Sequence, residues 1–400
     1  MNAVQLQPIG ELISPHVSGL PVRSTVASSP PYIFLFMPSL GSRAKFRQIE
    51  GLQENMSISE NLTSTLESLS LVDKTDGKEH TTETVLEQSV PAHLSHDPEK
   101  NAKRSDPFQF GQRYLSESDD VFTFNAWDHV VPDESHYEYC ETQYAAQRAT
   151  PVSDFDRKRF NEHPEKWWDL FYKQKTSTFF KDRKWLAQEF PVLKNMTEAD
   201  AGPKVVLEVG AGAGNTAFPI LRMNQNPHLK LHAVDFSKKA VETMRGVEEY
   251  SQCNGIMSAD VWDAAGEELP SGLEEGSVDV VIMIFIFSAL NPMQWKQTVY
   301  NINRLLKPGG EVLFRDYGRG DLAQVRFKAG RWMEENFYVR GDGTRVYFFE
   351  QAELESIWAE RFEIKDLDVD RRLIVNRQRR IKMYRCWIQG RFCKKADAMP

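Results

Sequence analysis

The sequence predicts a doubly wound α/β fold, a mostly parallel sheet with helices on both faces. Apolar runs of strand length alternate with segments of helical period over residues 205–317, an alternation that demands parallel strands joined by crossover helices. The first run, VVLEV, leads into a glycine turn, GAGAGN at residues 210–215, and then into a segment able to form a helix. Acids stand at or near the ends of the first three runs, Glu208, Asp235 and Asp260.

Taken in order, VVLEV is strand one and the segment from the glycine turn through LRMN is a helix. LKLHAVDF is strand two and KKAVETMRGVEEY a helix. NGIMSADVW holds a short strand three, and VDVVIMIF is strand four. NPMQWKQTVYNINRLL places Trp295, Val299, Ile302 and Leu306 on one helical face. KPGG turns the chain into EVLFRDY, strand five. FEIKDLDVDRRLIVNRQRRIKMYRCWIQGRF reads as two strands around a basic connection, an antiparallel pair at the sheet edge.

The chain of 400 residues is 41% hydrophobic and 26% charged, enough to bury a core. Its mean hydropathy of -0.50 points to a sizeable polar segment as well. Residues 1–118 are assigned to a disordered region, rich in Ser, Thr and Glu without sustained period. Order begins near Val121, in VFTFNAWDHV. Residues 119–200 are read as an aromatic and basic extension with two helices in residues 154–190 that Pro191 ends, and residues 201–400 as the α/β domain. A net charge of -8 excludes a generic nucleic-acid binder, so any basic surface is local. The four cysteines show no CxxC spacing, which argues against a zinc site or a disulfide scaffold. No run reaches the ~18 apolar residues of a membrane span. The N-terminus lacks a secretory signal, and its acid-poor stretch is not an Arg-spaced amphipathic helix, so a cytoplasmic location is expected over a mitochondrial one.

A strand, a glycine-rich turn and a helix begin many nucleotide sites, but the third glycine here comes one residue too early for the dinucleotide fingerprint. The strand-end acids sharpen the reading. Asp235 suits the two hydroxyls of a ribose, Asp260 an exocyclic amine, Val261 the face of an adenine, and Ile284 the crevice wall. These are the needs of an adenosine without phosphates. A dehydrogenase would require a pyrophosphate site and a second mononucleotide half, where this chain has an edge hairpin.

FNAWDH, WWDLFYKQKTSTFFKDRKWLAQEFP, LEVGAGAGN, LFRDYGRGDLAQVRFK and NFYVRGDGTRVYFF together resemble the tRNA N3-methylcytidine methyltransferases, most closely the fungal branch acting on threonine tRNA. The resemblance runs from about Val121 onward. It departs at Ala211, where the family usually has Cys. It implies a class I, Rossmann-like methyltransferase fold, a seven-stranded, mostly parallel sheet with an antiparallel edge hairpin and an N-terminal helical extension. It implies S-adenosyl-L-methionine as cofactor, held by Trp168, Tyr172, Gly210, Gly212, Asp235, Asp260, Val261 and Ile284. The implied acceptor is a cytidine in the anticodon loop of threonine tRNA, with serine tRNA as a further substrate. The composition of the N-terminal segment permits a role in localisation or in binding a partner such as an aminoacyl-tRNA synthetase or an accessory RNA-binding protein.

The residues themselves agree on RNA. Residues 371–395 hold ten basic side chains and no acidic one, interleaved with Tyr384, Trp387 and Phe392. Phe180, Lys181, Arg183, Arg340, Arg345, Arg379 and Arg380 are the expected tRNA contacts, and Arg319 and Arg326 extend the same surface. Cytosine N3 carries an in-plane lone pair, so the transfer needs alignment more than a base. The product is a cation, which a carboxylate stabilises. Asp316 at the end of strand five is expected in that role, with Asp182 or Asp342 as alternatives. Arg315 and Tyr317 are expected to hold a phosphate and stack on a base. The competing readings are a class I methyltransferase for a protein or small molecule, which leaves the one-sign basic segment unexplained, and a binding scaffold with a degenerate fold.

Overall fold

Strand β1 (Ala126–Asp128) precedes the five expected strands β2 (Lys204–Val209), β3 (Leu229–Asp235), β4 (Met257–Val261), β5 (Val278–Ile284) and β6 (Leu306–Tyr317) in a computed structural model that describes residues 113–175, 179–183 and 185–396. Three short strands follow, β7 (Trp332–Glu334), β8 (Phe337–Val339) and β9 (Arg345–Tyr347), and then β10 (Phe362–Asn376) and β11 (Ile381–Lys394). The main sheet runs β1-β10-β11-β6-β5-β2-β3-β4. Its β2–β6 half is parallel, and β11, β10 and β1 add on antiparallel.

The parallel strands carry apolar side chains toward both faces because both faces are covered. Alternate residues supply two cores. Leu207, Val209, Val281, Met283, Val312 and Phe314 point to one layer. Val206, Ala233, Val280, Ile282, Ile284 and Leu313 point to the other. The chain moves outward from β2 through β3 and β4, then returns to place β5 on the other side of β2. That reversal opens a crevice at the carboxyl ends of β2 and β5, the place where such sheets bind ligands.

The expected seven strands are eight. The additional one is β1, taken from FNAWDH, where Trp127 is buried and its indole N–H donates to the Val121 carbonyl (2.8 Å). Order also begins before Val121: the Asp128 N–H donates to the Arg113 carbonyl and the Arg113 N–H to the Asp128 carboxylate, so residues 113–118 do not share the assignment made for residues 1–118, the rest of which lies outside the described residues. The pair β10–β11 is not a free edge hairpin, since β11 lies against β6 and β10 against β1.

The helices differ in detail. Pro191 begins the helix Pro191–Thr197 rather than ending one, at a first-turn position where its missing N–H costs nothing. The extension holds Glu134–Arg148 and Asp154–Glu162 ahead of the expected helix around Trp168, Pro164–Lys175, while the second expected helix, around Phe179–Trp185, is reduced to the single turn Leu186–Glu189. Pro292–Leu305 starts on a capping box made by Asn291 and Gln294, and Leu306 opens β6 instead of closing that helix. The NFYVRGDGTRVYFF stretch supplies β8 and β9 of the small β7-β8-β9 sheet.

Candidate active site

Between β2 and the helix Ala217–Met223 the chain has three left-handed glycines, with φ of 68° at Gly210, 59° at Gly212 and 88° at Gly214. Only glycine adopts these angles freely, and space forbids a side chain as well. A Cβ on Gly210 would lie 2.6 Å from Ile286 Cγ1, and one on Gly212 would meet the Tyr172 hydroxyl. The turn is thus pinned between two walls of the crevice. Asp235 closes it from below: its Oδ2 accepts the Gly212 N–H (2.9 Å) and its Oδ1 the Ser237 N–H (2.9 Å). Burial pushes the Asp235 carboxyl up to about 6.

Glu208, one strand position before Val209, is buried, and burial pushes its carboxyl up to about 7. Arg183 lies against its Oε1 (3.5 Å), while Oε2 is buried with no hydrogen-bond partner. A buried carboxylate oxygen left unpaired is costly unless a ligand donor meets it. Val261 offers a second opening, 48% exposed at the end of β4 although apolar. Asp260 beside it is bound on one side by Arg245 (2.8 Å). The crevice therefore fits a cationic, adenosine-bearing cofactor. Ile284, expected on the wall, is packed in the core, and Ile286 takes its place beside Gly210.

The helix Pro164–Lys175 lies on this crevice because Asp169 ties it there. Its Oδ1 accepts the Ser237 hydroxyl (2.6 Å) and the Lys239 N–H (3.0 Å) at the start of the next helix. Trp168 and Tyr172 stack at 6.1 Å, with Phe171 and Phe180 packed beside them. The aromatic pair and the glycine turn, distant in sequence, meet. Phe180 is half-buried and its carbonyl accepts from the Asn215 amide (3.1 Å). Lys181 is exposed. Asp182 is committed to Arg222 and Asn215, and Asp342 to the turn at Thr344 (2.7 Å). Arg183, expected on the RNA surface, is turned inward toward Glu208, with Tyr172, Tyr317 and Asp316 near enough to act on its charge.

At the end of β6, Asp316 is enclosed, and burial pushes its carboxyl up to about 6. It accepts the Ser288 N–H (2.9 Å) and the Tyr317 N–H (2.8 Å), so it orders the turn after β5 and sets Tyr317. Arg315 points to the opposite face. There it bonds Asp370 (2.6 Å) and Gln389 (2.7 Å) between the rings of Trp185 and Trp387, and it does not reach the crevice as a phosphate clamp. Arg345 is buried too, holding Asn161 (2.9 Å) and the Ala289 carbonyl (3.3 Å), which removes it from the expected tRNA contacts. Arg340 stays at the crevice, its guanidinium 5.7 Å from the Tyr317 ring centre.

The basic segment divides in three dimensions. Arg372 pairs with Asp128 and Asp370, Arg385 with Asp321, and Arg391 with Glu311 and Asp366. Lys394 places its ammonium on the carbonyls of Asn303 and Leu306. Four exposed cations gather at the β10–β11 turn, Arg377, Arg379, Arg380 and Lys382, while Lys395, exposed past the far end of β11, donates to the Ala359 carbonyl. Sequence reasoning did not single out Asp169, Phe285, Ile286 or Ser288, and it gave Glu208 no partner. Of these, only the place of Glu208 at a strand end carried a signal in advance.

Residues 207–312 match a family described as a methyltransferase domain. Over 285 residues the chain is 49% identical to a tRNA N(3)-methylcytidine methyltransferase of Schizosaccharomyces pombe, a match covering 71% of this chain and 92% of that protein. Over 289 residues it is 50% identical to the tRNA(Thr) (cytosine(32)-N(3))-methyltransferase of Saccharomyces cerevisiae, covering 72% of this chain but 46% of that longer protein. A tRNA N(3)-methylcytidine methyltransferase of Drosophila melanogaster is 42% identical over 299 residues, 74% of this chain and 91% of its own.

Proposed function

Since this chain belongs to the tRNA N3-methylcytidine methyltransferase family, we propose that it methylates N3 of cytidine in the anticodon loop of threonine tRNA, at the position named for its Saccharomyces cerevisiae relative, cytosine 32. The observation that carries this reading is a single crevice with two sides. One side is the glycine turn with the buried Glu208 carboxylate, whose Oε2 has no hydrogen-bond partner, and the other is the wall formed by Phe285, Tyr317 and Arg340.

S-adenosyl-L-methionine supplies an electrophilic methyl group on a sulfonium. Asp235 and Asp260 would hold its ribose and adenine, Val261 would flank the adenine, and the Glu208 oxygen would take its ammonium. Trp168 and Tyr172 would cover the methionine end. A duplex or stacked loop hides N3, so the base must be turned out into the site. No strong base is needed there, because N3 already carries its lone pair. Asp316, ionised above about 6, provides negative charge near the ring that becomes cationic, and it acts through the placement of Tyr317 and Ser288. Lys181, Arg340, Arg379 and Arg380 would steer the phosphate backbone. Serine tRNA as a second acceptor, a synthetase or RNA-binding partner, and a cytoplasmic location belong to this reading as proposals.

The test is a transfer assay with purified chain, labelled S-adenosyl-L-methionine and total tRNA, resolved by nucleoside mass. N3-methylcytidine with the wild type and its absence with Asp235→Ala is the expected result. Label transferred to protein or small molecules and not to tRNA would favour the alternative acceptor class.

A further inference from the structure

Phe285 is the first residue after β5, at the mouth of the crevice, and its φ is 60°. Left-handed backbone is costly for a bulky side chain and open to glycine, and asparagine tolerates it better than most. The non-glycine residues sharing that region here are His129, Asn254, Asn336 and Arg380, so Phe285 is the apolar exception among the described residues. Such an angle persists only where the surroundings impose it, and it concentrates at functional sites.

The surroundings do impose it. The Phe285 N–H donates to the Arg315 carbonyl (2.8 Å), holding the backbone to β6, while the next residue, Ile286, packs on Gly210 of the cofactor turn. Between those anchors the chain bends at the mouth of the crevice, and the Phe285 ring is half-buried, one side of it packed on the core layer that holds Ile284 and Leu313. Its ring lies 4.9 Å from that of Tyr317, tilted by 45°. Tyr317 is enclosed by Arg340 at 5.7 Å and by Phe348 at 5.6 Å. Phe285 has no other ring neighbour among the described residues, and the Tyr317 hydroxyl forms no hydrogen bond among them. A ring kept partly open at the expense of backbone strain, next to the residue that packs on the cofactor turn, has the form of a stacking platform.

The geometry points to Phe285 as the platform on which the acceptor base stacks, with the Tyr317 hydroxyl meeting the edge of that base. The inference rests on the tRNA cytidine reading above and deepens it. Stacking holds the everted ring in the plane that presents N3, while the tRNA body is held elsewhere. Loss of the platform therefore lowers the transfer rate and leaves tRNA and cofactor affinity in place.

The experiment compares wild type with Phe285→Leu, Phe285→Tyr and Phe285→Gly. It measures melting temperature, S-adenosylhomocysteine Kd, tRNA Kd and single-turnover transfer at saturating tRNA and cofactor. Phe285→Leu is expected to melt and bind as wild type does and to transfer about 10- to 100-fold more slowly, the worth of one base–aromatic stack. Phe285→Tyr stays within about threefold of wild type, because it keeps the same π-face. Phe285→Gly removes the strain and the ring together and transfers as slowly as Phe285→Leu. A Leu variant that transfers at the wild-type rate overturns the platform, as does one whose slower transfer is matched by weaker cofactor binding or a lower melting temperature. Wild type that leaves tRNA unmodified sinks the functional reading itself, and the platform with it.

Discussion

A carboxyl group taken out of water keeps its proton, and two of them lie beside the cofactor turn, Glu208 raised to about 7 and Asp235 to about 6 by burial. In the unfolded chain both titrate near the ordinary carboxylate values, so at intermediate pH the folded state holds more protons. Their contribution to stability is fully present below the unfolded value and is lost as pH rises through the folded one. The cofactor-free protein should therefore melt at a higher temperature near pH 5.5 than near pH 8, and Asp235→Asn should flatten that difference. Cofactor affinity runs the other way. Ribose hydroxyls donate to an ionised Asp235, so calorimetric affinity should fall as pH drops below about 6. Equal affinity at pH 5 and pH 8 would remove Asp235 from the ribose contact.

At the level of the element, β1 joins the N-terminal extension to the sheet through one large side chain. Trp127 is 1% exposed and packs on Leu373, Val375 and Tyr384. Trp127→Ala should cost about 3–5 kcal/mol in urea unfolding, as deletion of a buried aromatic does. A loss below about 1 kcal/mol would mean that β1 is only loosely attached. The elements legible in the sequence were those with a simple pattern. VVLEV and VDVVIMIF are apolar because both of their faces are covered, and NPMQWKQTVYNINRLL carries one apolar stripe. The helix Glu134–Arg148 has no such stripe. It is held by polar bonds, Gln147 donating to the carbonyls of Gln324 (3.0 Å) and Phe327 (3.2 Å) and Tyr144 to the Gln324 side chain (3.1 Å), and no periodicity announces bonds of that kind. A three-residue strand such as β1 is likewise too short to show a period.

Across all the described residues, the site was legible in proportion to how local its determinants are. Gly210, Gly212 and Asp235 follow from a strand ending in a tight turn, which neighbouring residues specify. The arginines do not, because a cation's role depends on what distant acid it meets: Arg315 finds Asp370 and Arg385 finds Asp321. The run of ten basic residues in 371–395 is thus much less positive in space than in sequence, and its open charge is concentrated at the β10–β11 turn. Replacing Arg377, Arg379, Arg380 and Lys382 by Ala singly should reduce the slope of log affinity for tRNA against log salt by about 1 wherever the side chain neutralises a phosphate. Arg391→Ala should leave that slope unchanged, and an equal effect from Arg391 would show that its pairing with Glu311 opens in the complex.

The placement of β11 between β6 and β10 bears on how the chain matures as it is synthesised. The parallel half can assemble once β6 has emerged from the ribosome, but the outer side of β6 then has no neighbour. Its unpaired peptide groups wait for the last long strand to be made, and β1, the first strand among the described residues, waits for β10. Until that closing hairpin arrives, the nascent protein carries an open sheet border suited to chaperone capture or to pairing with another chain.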